Sequence, residues 1–131
     1  MALPDSSRTV PRALLALALG GFAIGVAEFA PMGLLPEIAA GTGVSLPRAG
    51  HVVSAYALGV VLGAPVLAVA GARVPRGRLL VWLMVAFSAA NLASALAPTF
   101  ETLVAARVAC GIPHGAYFGV GALVAAGVAG P

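Results

Sequence analysis

The chain has 131 residues, of which 61% are hydrophobic and 8% charged, against roughly a quarter charged in an ordinary soluble domain. Such a composition belongs in a bilayer and excludes a soluble domain. The net charge of +3 rests on seven arginines and four acids, and the arginines form no patch interleaved with aromatics, so a nucleic-acid partner is excluded as well.

Four apolar runs follow in chain order, approximately residues 13–35, 50–71, 79–97 and 102–127. Each is close to the roughly 17–25 residues that a helix needs to cross the hydrocarbon core. The runs are continuous instead of alternating, so helices are expected and not a barrel. The predicted fold is an all-α integral membrane bundle of four transmembrane helices.

The first run follows Arg8 and Arg12 as a signal peptide would, but it is too long, holds Glu28 and leads into three more spans. A connection of about 14 residues, Pro36 to Ala49, follows, with GTG and Leu46-Pro47 as turn material. The loop GARVPRGR after the second run carries Arg73, Arg76 and Arg78, whereas the first connection has only Arg48 and the third has no arginine. The positive-inside rule then places the amino-terminal tail and the arginine loop in the cytoplasm. The sequence stops at VAAGVAGP, at the expected cytoplasmic end of the fourth helix with no basic tail, and reads as a fragment.

Small residues recur at four-residue spacing. Gly21 and Gly25, Gly59 and Gly63, and Gly111, Gly115 and Gly119 mark faces where helix backbones approach closely. Cys110 is the single cysteine, forms no internal disulfide and reads as a small packing residue.

Ionisable residues within the spans carry the functional signal. A charge at the bilayer centre costs on the order of 3 kcal/mol, so it faces a partner or a watery cavity. Glu28 and Arg107 are the two such residues, about 10 Å and about 9 Å below the outer ends of their helices. On the fourth helix Arg107, Gly111, His114 and Phe118 share one face. His114 lacks a second ligand, so no metal site is expected; it is read either as part of a proton path or as a hydrogen-bonded packing residue. Pro31 and Pro113 interrupt the same two helices as kinks beside these charges. In transporters built from three-plus-three inverted repeats the first and fourth helices are equivalent, and such interrupted pairs mark the cavity. No nucleophile–base pair or metal cluster appears, which argues against an enzyme, and no cofactor is expected.

The runs EFAPMGLLPEIA, SAYALGVVLGAP and HGAYFG resemble the first, second and fourth helices of major facilitator superfamily proteins, in the arabinose-efflux and chloramphenicol-efflux branch of the twelve-span drug:proton antiporters. The resemblance covers about residues 12–131 and implies the first part of a six-helix bundle, with the remaining helices of the same protein as missing partners. It implies a bacterial inner-membrane location and proton-coupled efflux of a small molecule such as a drug or sugar by alternating access. Leu103, Arg107 and Gly111 match the family's fourth-helix pattern, whose arginine is linked to proton coupling, and Cys110 stands where that pattern often has glutamine. The arginine loop fits the superfamily signature at its basic positions, but Ala72 replaces the acidic residue and Pro75 a glycine, leaving topology and anionic-lipid contact as the roles of its arginines. Two other readings stand beside this one. A small dimeric four-helix multidrug antiporter also has a glutamate in its first helix, and a non-transporting membrane subunit would need no buried charge.

Overall fold

A computed structural model of the chain describes residues 6–129. Six helices account for nearly all of it: α1 (Ser6–Gly33), α2 (Leu35–Thr42), α3 (Leu46–Ala49), α4 (His51–Ala70), α5 (Arg76–Ala95) and α6 (Phe100–Ala129). No strand occurs among the described residues. Four segments are long and apolar enough to cross a membrane: Pro11–Gly33, Leu46–Ala70, Arg76–Ala95 and Phe100–Val128.

The connection expected over Pro36 to Ala49 is helical for much of its length. Pro36 sits in the first turn of α2, where its missing amide hydrogen costs nothing, and Glu37 complements the positive helix end. Gly43 then ends α2 in the left-handed conformation, with φ of 67°, a geometry glycine adopts without steric penalty. Pro47 likewise opens α3. At the other end of α4, Arg76 and Arg78 lie in the first turn of α5, and only Arg73 belongs to the turn proper. The arginine loop is thus shorter than expected, because Pro75 occupies the N-cap position and lets the helix start at once.

Neither proline expected to interrupt a span breaks it. α6 runs on through Pro113, and α1 continues past Pro31 to Gly33 before the chain turns into α2. A proline within a long helix costs one backbone bond, and the flanking turns can hold the helix together around it.

The tightest packing is between α4 and α6, followed by α5 with α6. Glycines make the first contact possible. A Cβ at Gly59 would run into the Val108 carbonyl, one at Gly63 into the Ile112 carbonyl, and one at Gly111 into the Tyr56 carbonyl. Gly115 faces Ala64 Cβ at 2.8 Å from where its own Cβ would stand. Gly25 and Gly119 differ from this expectation, with nothing within 4 Å, and Gly21 meets only the Phe118 ring; Gly119 lies one turn beyond the last close approach. Ile24, Tyr56, Leu80, Leu83, Phe87, Cys110, Ala116 and Tyr117 form the core. α1 packs more loosely and turns Phe22, Leu19 and Phe29 outward, as suits a surface facing lipid or further helices.

Candidate functional site

The close α4–α6 contact brings Arg107 into the interior at 4% exposure. Its Nε donates to the Val52 carbonyl on α4 at 3.4 Å, and Nη1 donates to the Ala27 carbonyl on α1 at 3.1 Å. The guanidinium carbon lies 4.4 Å from the centroid of the Tyr56 ring. A cation over an aromatic face gains on the order of 2 kcal/mol once water is excluded, which offsets much of the cost of burying it. Nη2 is left over: among the described residues it is a buried polar side-chain atom with no hydrogen-bond partner.

Tyr56 continues the chain of contacts. Its Oη shares a hydrogen bond of 2.9 Å with His114 Nδ1. The His114 ring tilts against Phe118 at 5.1 Å between centroids, and Phe118 meets Tyr117 edge-on at 5.9 Å. Tyr117 Oη donates to the Leu17 carbonyl on α1 at 3.2 Å. A polar and aromatic column therefore runs along α6 from Arg107 to Tyr117, tied to α4 at the middle and to α1 at both ends.

Glu28 stands half-buried on α1, the residue after the carbonyl that Arg107 grips. The two charges do not form an ion pair within 4 Å, and the one ion pair among the described residues joins exposed Arg48 to Glu101 at 2.9 Å. Beside Arg107 a cavity of about 420 Å³ opens between α1 and α5, with Ala27, Pro31, Val52, Asn91 and Ser94 in its wall. Ser94 Oγ and Cys110 Sγ meet at 3.4 Å, which ties α5 to α6 next to it. Among the described residues no group of three His, Cys, Asp or Glu side chains is placed to hold a metal.

Arg107 and His114 both touch Tyr56, and Glu28 stands next to the residue that Arg107 grips; Arg107 and Pro31 lie in the cavity wall, whereas Glu28 and His114, expected to line it, do not. Gly111 and Gly115 pack α6 against α4, and Pro113 is buried between them. Arg73, Arg76 and Arg78 are exposed at the far end of α4 and the start of α5, outside this cluster. Sequence reasoning missed Tyr56, Asn91 and Ser94. Tyr56 was findable: Val52, Tyr56, Gly59 and Gly63 fall at i, i+4, i+7 and i+11, the same spacing as the marked face of the fourth helix.

The family model of the Major Facilitator Superfamily matches residues 17–131. The chain is 50% identical over 115 residues to the inner membrane transport protein YdhP of Escherichia coli K12, a match covering 88% of this chain and 30% of that protein. It is 44% identical over 113 residues to the putative transporter AraJ of the same strain, covering 86% of this chain and 29% of AraJ. A chloramphenicol resistance protein of Streptomyces lividans is 36% identical over 117 residues, covering 89% of this chain and 30% of that protein. The chain thus spans under a third of the length of these relatives, and no solved structure gives a significant match.

Proposed function

Since the chain belongs to the major facilitator superfamily, we propose that it is the amino-terminal part of a proton-coupled efflux transporter, an antiporter that exports a small molecule by alternating access. It forms the first four helices of a six-helix bundle, and further helices of the same protein complete the bundle and its counterpart. The amino-terminal end of α1 and the α4–α5 turn with the start of α5 lie in the cytoplasm on this reading, because five of the seven arginines, Arg8, Arg12, Arg73, Arg76 and Arg78, cluster there. The relatives' names, a putative transporter and a chloramphenicol resistance protein among them, support transport of a small molecule, and a drug or a sugar is the substrate class that the family resemblance implies.

One observation carries the coupling: a buried Arg107 holds a free N–H, and a half-buried carboxylate stands beside the residue it grips. Three of the guanidinium's neighbours fix it, so Glu28 is the mobile member. With its proton lost and turned inward, Glu28 meets Nη2; protonated, it is released from the guanidinium. A nearby cation favours the ionised carboxylate while desolvation opposes it, so the two orientations differ in proton affinity. Tyr56 holds the arginine on its ring face, and His114, hydrogen-bonded to Tyr56, is the next group along α6 that can relay a proton on this reading.

The test uses the complete transporter in everted vesicles. Glu28→Gln should leave substrate binding largely intact and abolish substrate movement driven by a pH gradient. Gradient-driven export at the native rate would remove Glu28 from the coupling step.

A further inference from the structure

Pro31 stands four residues after Ala27 on α1. A residue with an amide hydrogen at that position would donate it to the Ala27 carbonyl, as every helical turn does. Proline has none, and its ring also crowds the carbonyl one turn back. The Ala27 oxygen is therefore released from the helical ladder, and it is the oxygen that Arg107 Nη1 reaches at 3.1 Å. We infer that Pro31 is a positioning residue for Arg107: by withholding an amide it leaves a backbone acceptor on α1 that seats the guanidinium and fixes the register of α6 against α1.

The surroundings favour this assignment over a passive bend. Arg107's other backbone acceptor, the Val52 carbonyl, belongs to the uninterrupted first turns of α4, where a ladder bond already occupies it, and that contact is longer at 3.4 Å. Pro65 and Pro113 release the carbonyls of Val61 and Ala109 in the same way. Val61 and Ala109 are exposed, however, and among the described residues no side chain donates to either carbonyl. Side-chain hydrogen bonds from α6 to α1 are few among the described residues; the Tyr117–Leu17 bond is the other. With so few ties, the freed carbonyl has a large share in orienting a helix that otherwise packs loosely. A bend needs only the proline ring, whereas this seat needs the missing amide, and the two can be separated.

Thermal-unfolding midpoints of the complete transporter in detergent micelles are compared for Pro31→Ala, Arg107→Met and the double change. With Arg107 present, the new amide competes for the Ala27 oxygen, so Pro31→Ala should leave the midpoint unchanged or lower it. In the Arg107→Met background the oxygen is stranded, and the same change should raise the midpoint by on the order of 5 °C. Equal shifts in the two backgrounds, or a larger rise with Arg107 present, would overturn the assignment. An isotope label on the Ala27 carbonyl gives a second reading by infrared spectroscopy. Arg107→Met should move the labelled band to higher frequency, and by less when Pro31→Ala is also present; equal displacements would again overturn it. Should Arg107→Met fail to fold, Arg107→Gln, whose shorter side chain falls short of the Ala27 oxygen, takes its place in both comparisons, and equal band displacements with and without Pro31→Ala again overturn the assignment. None of these readouts involves transport, so the result is independent of proton coupling at Glu28.

Discussion

Arg107 is seated on the face of Tyr56, 4.4 Å from the ring centroid, and Tyr56 is in turn hydrogen-bonded to His114. The ring thus does two jobs that substitution can separate. Tyr56→Phe keeps the aromatic face and loses the hydroxyl bond, at a cost of about 1 kcal/mol. Tyr56→Leu also removes the face and should cost about 1–2 kcal/mol more. Chemical denaturation in micelles measures both, and equal losses would mean that the ring face contributes nothing to holding the arginine.

The same geometry predicts which pairs are energetically coupled. In a double-mutant cycle on stability, Tyr56→Leu with Arg107→Met should show a coupling of at least about 0.5 kcal/mol, since the residues touch. Glu28→Gln with Arg107→Met should come closer to additivity, because no ion pair joins them in this conformation. The opposite ranking would show that the carboxylate, not the ring, holds the arginine in the folded protein.

Glycines on α6 should divide sharply. Gly111→Ala drives a methyl group into the Tyr56 carbonyl and should cost about 1–3 kcal/mol with reduced yield of folded protein. Gly119→Ala meets open space and should be neutral or stabilising by up to about 1 kcal/mol. Yield and melting temperature of the two variants report the difference.

Arg48 and Glu101 form an ion pair at 2.9 Å with both side chains more than half exposed. Glu101→Gln should change stability by only about 0–1 kcal/mol, and by less still at high salt. A larger loss, read from denaturation midpoints at low and high salt, would mean that the pair is shielded by helices outside this sequence.

Orientation is tested by labelling. Single cysteines at Ser45 and Arg76, both exposed, in a Cys110→Ala background should react with an impermeant thiol reagent from outside and inside the cell respectively. The reverse pattern would invert the topology and put Glu28 and Arg107 nearer the cytoplasm.

Hydropathy made the four spans legible, because each is a long run of one character. It hid α2 and α3, since eight and four residues leave no room for a hydrophobic period to show. Their punctuation was present all the same in Pro36, Glu37 and Gly43. At the site, Arg107 and His114 stood out because charge and imidazole are rare in a span. Tyr56 did not, since a tyrosine among apolar residues carries no such mark and its role exists only where α4 meets α6. Arg107's acceptor on α1 is a backbone oxygen, which no side-chain pattern encodes; Pro31 is its single trace in the sequence.

Arg107 and the carbonyl it grips are 80 residues apart in the chain. At about 5–20 residues per second of synthesis, roughly 4–16 s separate the appearance of the two. Throughout that interval α1 is already made, its freed oxygen waiting for a donor that the ribosome has yet to produce. Biogenesis therefore has a defined window in which α1 stands without its α6 contact, and slowed translation between α1 and α6 would lengthen it.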